Sequence, residues 1–311
     1  MAYVAVVGAA NVDIGGFPSG RAVAGDSNPG RVRLSMGGVG RNIACNAARL
    51  GLQAELITAL GGDLYADMIC ADCARAGVGL THALSFPGES TSTYLFIADA
   101  GGDMSWAVND MAIHDRMTVA RLEPLMPALR GAALVVLDAN LPEETLAHLA
   151  RSVAVPVIAD CVSAAKAGRL LGALPCLDAI KPNRIEAGLL TGIDVVDETS
   201  ARRATAKLLE MGAKRVFLTL GTQGVCCADG HGMLRLSGVP VQMKNATGAG
   251  DAFTAALAWA KLKGLTLEET ALAGMAAATI AVESLETVSP EMSEALLERR
   301  MHEIKQELRR L

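Results

Sequence analysis

Asn245-Ala246-Thr247-Gly248-Ala249-Gly250-Asp251 runs straight into Ala252-Phe253-Thr254-Ala255-Ala256-Leu257-Ala258-Trp259-Ala260, so a glycine-bearing turn meets an apolar run at a carboxylate. The second stretch lacks glycine and proline and is rich in helix formers. It predicts a helix over Ala249-Leu262, with Gly248, Ala249 and Gly250 at its unsatisfied first turn. Small residues there let a phosphate touch free backbone N–H groups, and the helix N-terminus adds partial positive charge. Asp251 could accept the proton of an attacking hydroxyl. The stretch reads as the centre of a kinase for an alcohol. A glycine turn with an aspartate cap is the other reading, and the heptapeptide alone does not choose between them.

Working outward, short β-rich runs alternate with longer helical ones. Tyr3-Val7, Glu55-Leu60, Ala133-Asp138, Val155-Asp160, Ala179-Lys181, Arg215-Leu220 and Val225-Ala228 read as strands. Val39-Leu50, Leu64-Ala76, Pro142-Val153, Arg184-Leu190, Ser200-Met211 and Leu267-Glu283 read as further helices, several closed by glycine. This order predicts an α/β fold with a mostly parallel sheet covered on both faces. Residues 13–34 and 85–110 break the rhythm. They read as extended segments and a hairpin turning at Gly101-Gly102-Asp103, and predict a small β lid over the strand ends.

Composition narrows the function. With 311 residues, 51% apolar and 20% charged, the chain can bury a large core. A net charge of -5 argues against a nucleic-acid surface, and the Arg299-Arg300 and Arg309-Arg310 pairs read as solvated helix surface. No apolar run is long enough to span a membrane, and Met1-Ala2-Tyr3-Val4 opens into a strand, so the cytoplasm is the expected location. Seven cysteines in apolar segments read as reduced thiols; Cys70-Ala-Asp-Cys73 has no second pair at zinc spacing.

The sugar side is expected near the N-terminus. Asn11 and Asp13 follow the first strand, where open α/β sheets bind ligands, and an aspartate there can accept from vicinal hydroxyls; an Asx turn is the alternative. Gly37-Gly38-Val39-Gly40-Arg41-Asn42 then leads into a helix, with glycines that let backbone approach a ligand and an Asn42 amide that can donate and accept. Its glycine spacing does not match a dinucleotide fingerprint.

Over nearly its whole length the chain resembles the ribokinase-like family of carbohydrate and nucleoside kinases, whose members carry Thr-Gly-Ala-Gly-Asp, usually after Asp where this chain has Asn245. Within that family, Asp26-Ser27-Asn28-Pro29-Gly30, Gly37 to Ala44, Thr91-Ser92-Thr93-Tyr94-Leu95, Asn109-Asp110-Met111 and Lys181-Pro182-Asn183-Arg184 are similar to the pseudouridine kinase branch. The resemblance implies one kinase domain over residues 1–311 with a three-layer sandwich and a β lid. It implies ATP-dependent phosphorylation of the ribose 5′-hydroxyl of pseudouridine, with Asp251 as base and the Gly248, Ala249 and Gly250 amides as anion hole. A kinase of another nucleoside or sugar needs only the two glycines, Asn42 and Asp251.

The same resemblance gives Asn11, Asp13, Gly37, Gly38, Arg41 and Asn42 to the substrate, with Asn28, Ser92 and Thr93 as partners for the base. Lys166 would neutralise substrate or phosphate charge, unless it is a surface lysine. Asn183 and Glu186 would hold Mg2+ and its waters, a helix cap being the alternative for Asn183. Thr219, Gly221, Thr222 and Gly224 would contact ATP together with Gly248 and Gly250. A potassium site is common in the family, but Asn245 and Glu286-Thr287 depart from its pattern, so the sequence argues only weakly for potassium activation. An exposed edge at Thr93-Ala98 and the family's habit of pairing lids imply a homodimer. The partners implied are a nucleoside and ATP, with no nucleic acid or membrane.

Overall fold

The computed structural model describes residues 3–98 and 104–309. Its strands are β1 (Val4–Val7), β2 (Asn11–Pro18), β3 (Gly30–Gly37), β4 (Ala54–Ile57), β5 (Ala59–Gly61), β6 (Val78–Gly79), β7 (Leu84–Phe86), β8 (Thr93–Ala98), β9 (Met104–Asp110), β10 (Leu134–Asp138), β11 (Val157–Asp160), β12 (Ala179–Lys181), β13 (Arg215–Thr219), β14 (Gly224–Asp229) and β15 (Gly232–Ser237). Nine of them form one sheet in the order β15-β14-β13-β12-β11-β10-β1-β4-β6. Neighbours from β6 to β13 are parallel, and β14 and β15 extend the sheet antiparallel.

The parallel strands are apolar along most of their length because both of their faces are covered, with charge mainly at their ends. Successive side chains go to opposite sides, so Val4 and Val6 join one core while Ala5 and Val7 join the other. The adjacent Cys226 and Cys227 are divided in the same way. The helices are α1 (Val39–Arg49), α2 (Leu64–Ala76), α3 (Val119–Leu122), α4 (Met126–Gly131), α5 (Glu143–Ser152), α6 (Ala164–Ala167), α7 (Arg184–Thr191), α8 (Glu198–Glu210), α9 (Ala249–Leu262), α10 (Leu267–Val282) and α11 (Glu294–Leu308). The first core lies under α1, α2 and α9 to α11, and the second under α3 to α8. This is the three-layer α/β sandwich expected from the alternation.

The two stretches that break the alternation form a second sheet, in the order β3-β2-β8-β9. Asn11 and Asp13 lie just past the end of β1, as expected, and open β2. Two other details differ from the sequence expectation. Thr93–Ala98 is no edge, since β8 pairs with β2 on one side and β9 on the other; β3 and β9 are the edges. The predicted strand Glu55-Leu60 is broken at Thr58, β4 joining the large sheet and β5 pairing with β7. The expected turn at Gly101-Gly102-Asp103 lies outside the described residues. β6, β15, α3, α4 and α6 were not anticipated, and β3 was read only as part of the extended stretch 13–34.

Candidate active site

Three parallel strands end in charge after an apolar run: Asp138 closes β10, Asp160 closes β11 and Lys181 closes β12, side by side in register. All three are buried. Asp138 accepts from the N–H groups of Ala9 (2.8 Å) and Asn140 (2.9 Å), and a side chain at Gly8 would collide with its carboxylate. Burial nonetheless pushes the Asp138 carboxyl up to about 6. The Lys181 ammonium lies 3.3 Å from Asp160, which also accepts from the Thr254 hydroxyl at 2.6 Å. Burial works against the charge of Lys181, but Asp160, Glu186 and Asp251 outweigh it and hold the amine above the ordinary lysine range.

Two helix N-termini meet above this edge. α1 starts at Gly38 (φ 95°) and α9 at Gly248 (φ 87°), and neither has a side-chain cap, whereas α2, α7, α8, α10 and α11 all do. Both glycines are required twice over. Their φ lies in the left-handed region, and a Cβ on Gly38 would strike the Ala9 carbonyl while one on Gly248 would strike that of Thr287. The first turn of α9 therefore presents free N–H donors, and a Cβ at Gly250 would stand 3.1 Å from the Lys181 nitrogen, so the amine sits beside those donors. The helices touch where the Asn42 amide donates to Asp251 at 2.8 Å. Burial first, and the charge of Asp160 second, push the Asp251 carboxyl up to about 7 against the pull of Asn42 and Lys181. A base poised near neutrality beside a donor cluster is suited to taking a hydroxyl proton.

Among the sequence candidates, Asn11, Asp13, Gly37, Gly38, Asn42, Gly248, Ala249, Gly250 and Asp251 gather around these two N-termini. Asp13 packs its carboxylate against Gly37 and accepts from the Asn11 amide at 2.6 Å. Thr219 bridges to Asn183 beside the end of β12, and Gly221 (φ 61°), Thr222 and Gly224 (φ 97°) form the turn into β14. Lys166 is half-buried and donates to the Asn140 side chain, next to Asp138 rather than free on the surface.

Six candidates are engaged elsewhere. Asn28 sits in an exposed loop with its amide spent on Val23 and Asp26. The Ser92 hydroxyl is buried 3.0 Å from His114, a ring that burial lowers to about 4 and so keeps neutral. Thr93 pairs with Val12 and so points to the face opposite Asp13. Arg41 turns to Asp72 of α2. Asn183 and Glu186 close a reciprocal capping box, each side chain accepting from the other's N–H at 3.0 and 2.8 Å, so the cap reading is realised and any cation there would have to share these oxygens. Asn245 donates to the Leu285 carbonyl at 3.4 Å and accepts from Thr247 N–H at 2.9 Å.

Sequence reasoning passed over Asp138, Asn140, His114 and Thr254. A signal for Asp138 was present: its charge ends a buried strand, as in Asp160 and Lys181. Tyr94 and Asn109 entered the sequence reading as marks of the resemblance without a site role, and they stand in one row with Asp13 and Ser35 across the second sheet. The Asp160-Cys161-Val162-Ser163 turn carries local strain, with Val162 at φ 64° and its N–H donating to Asp160 at 2.9 Å.

Residues 1–294 match the pfkB family of carbohydrate kinases. The chain is 35% identical to the pseudouridine kinase of Escherichia coli over 94% of each protein, and 29% identical to the ribokinase of Haemophilus influenzae over 80% of this chain and 82% of that one. The structure of Arabidopsis thaliana ribokinase complexed with ribose and ATP superimposes with a TM-score of 0.87 at 25% identity, covering 97% of this chain and 99% of that one. An aspartate at an uncapped glycine-started helix, set over the carboxyl ends of a parallel sheet, is thus housed in a ribokinase-like fold: the chain belongs to the pfkB family and is a kinase.

Proposed function

We propose that this kinase transfers the γ-phosphoryl group of ATP to the ribose 5′-hydroxyl of pseudouridine. The observation that carries the reading is the meeting of the α1 and α9 N-termini at the Asn42–Asp251 contact. One uncapped terminus suits a phosphate and the other the hydroxyls of a ribose, with a carboxylate between them. The nucleoside is supported by the Escherichia coli relative, and the sugar–ATP pair by the ligands of the Arabidopsis ribokinase.

In this reading the chain forms one kinase unit, and its residues work by alignment and charge. Asn11, Asp13, Gly37, Gly38 and Asn42 hold the ribose, and Asp251 takes the hydroxyl proton once ionised. The Gly248, Ala249 and Gly250 amides, with Lys181 beside them, receive the charge of the moving group. Thr219, Gly221, Thr222 and Gly224 line the way to the nucleotide, and Lys166 balances charge near Asp138. The β2–β8 sheet acts as a lid that excludes water. ATP supplies the phosphoryl group, and Mg2+ would neutralise its oxygens. Among the described residues no group of three or more His, Cys, Asp or Glu stands ready for a metal, so the cation would ride on the phosphates, with the all-oxygen pair Asn183 and Glu186 reaching its waters.

A coupled assay with ATP and, in turn, pseudouridine, uridine, adenosine, ribose and fructose tests the substrate. Pseudouridine is expected to give the highest kcat/KM. The Haemophilus ribokinase likeness makes ribose the second reading, and a higher kcat/KM on ribose would replace the first.

The outer face of the lid sheet exposes Val32, Leu34, Leu95, Trp106 and Val108, with Trp106 78% exposed. Opposite pairing in register puts Leu95 beside Val108 and Ile97 beside Trp106 on that face. The reading includes a second copy of this chain as its cover, giving a homodimer through the lid. Sedimentation should show a dimer for the native chain and a monomer for Trp106→Glu; a native monomer at micromolar concentration would overturn this.

A further inference from the structure

Asn42 makes the hydrogen bond between α1 and the proposed base, and which of its two amide atoms faces Asp251 decides whether that contact attracts or repels. The side-chain oxygen accepts from Arg41 Nη1 at 2.9 Å, and the nitrogen donates to Asp251 at 2.8 Å. Reversed, the amide would set its oxygen against a carboxylate and its NH2 against a guanidinium, both unfavourable. Arg41 is itself held firmly. Nη1 also donates to the Met36 carbonyl at 3.2 Å, Nη2 pairs with Asp72 of α2, and the backbone N–H donates to the Ala9 carbonyl at 3.0 Å. Arg75 reinforces Asp72 from outside at 3.1 Å.

As a stabilising device this arrangement is poor. Arg41 is 8% exposed, and its Nε is buried without any partner. A buried ion pair with an orphaned donor is commonly matched or bettered by apolar side chains of the same size. What apolar side chains could not supply is a fixed donor to the Asn42 oxygen.

We infer that Arg41, backed by Asp72, is a positioning residue that orients the Asn42 amide so that its nitrogen faces Asp251, and that it does not touch the substrate. The chain of contacts runs from α2 through α1 to the first turn of α9. It bridges 209 residues of sequence at the Asn42–Asp251 step. The kinetic consequence rests on the proposed role of Asp251 as base, whereas the orientation itself does not.

The groups facing Asp251 are Asn42 from α1, Asp138 from β10, Asp160 from β11 and Lys181 from β12. Among them only Asn42 depends on Arg41 for its orientation, so releasing it withdraws one hydrogen bond from the ionised carboxyl and leaves the neighbouring charges in place.

The test is the double variant Arg41→Met/Asp72→Leu, which removes the ion pair without leaving a lone charge. Its thermal midpoint is expected to equal or exceed the native one. The acid limb of kcat/KM for the nucleoside should move up by about one pH unit, with KM changed by less than about threefold. The 13C titration of the Asp251 carboxyl, assigned with Asp251→Asn, should move by the same amount. Asp72→Asn should move both in the same direction by less, and Arg41→Lys should fail to restore them because an ammonium cannot span the three acceptors. A folded double variant whose acid limb and carboxyl titration stay put would overturn the inference, as would a tenfold rise in KM with an unmoved acid limb, which would return Arg41 to the substrate. If Asp251→Asn itself turned over normally, the proposed base would be the part at fault, and the carboxyl titration would still decide the orientation.

Discussion

Asp251→Asn is expected to lower kcat by roughly 10²- to 10⁴-fold, the usual cost of losing a general base, while leaving the KM for ATP within a few-fold of native. The asparagine keeps an oxygen to accept from Asn42 and leaves the backbone of α9 unchanged, so the effect falls on proton transfer. In the native chain the carboxyl must be ionised to act, and it titrates at about 7. Native kcat/KM for the nucleoside should therefore drop about tenfold per pH unit below that value, and the residual activity of the variant should lack this limb.

Stability should move the other way. A folded carboxyl that keeps its proton to about 7, against an ordinary value near 4 when unfolded, releases a proton on unfolding in between. The native state then binds more protons than the unfolded one, so native stability falls as pH rises from about 4 to 7. Asparagine cannot ionise and escapes that loss. The thermal midpoint of Asp251→Asn should exceed the native one at pH 8, with the gap closing towards pH 4. Near-native turnover would remove Asp251 from the role of base, and a gap that does not depend on pH would remove burial as the cause of its raised pKa.

Much of this site was legible because its chemistry is local in sequence. Gly248-Ala249-Gly250-Asp251 is continuous, and a helix that begins with small residues and an acid can be recognised without knowing what it packs against. The parallel strands were legible for a similar reason. Leu134-Val135-Val136-Leu137-Asp138 is apolar at every position until its end, the pattern of a strand covered on both faces. What could not be read was pairing between distant segments. Nothing near Arg41 announces Asp72, 31 positions on, so the guanidinium read as a substrate ligand although it is consumed between helices. Ser92 and Thr93 read as lid polar groups, but register alone decides which face they take, and that register is set against β2 about eighty residues earlier. β3 read only as extended chain, with no face assigned, for another reason. Its alternating Arg31, Val32, Arg33 and Leu34 are all exposed, so the apolar positions cover no core that the pattern could point to.

Lys181→Met is expected to cost about 3–5 kcal/mol of folding stability, because it strips the partner from a buried carboxylate and leaves the charge of Asp160 uncompensated. In a chain of this size that is a fall of about 5–8 °C in thermal midpoint. The same substitution withdraws a positive charge that favours ionised Asp251, so the acid limb of kcat/KM should move upward. Turnover at high pH should also fall, since the amine stands beside the first turn of α9 where the anion is received. Three readouts thus depend on one nitrogen, and they separate its duties. A lower midpoint with unchanged kinetics would leave Lys181 as the counter-ion of Asp160 alone. Unchanged stability together with an unmoved acid limb would mean that the charges at the ends of β11 and β12 are not coupled to the base, and the account of a proton acceptor tuned by the edge of the sheet would have to be abandoned.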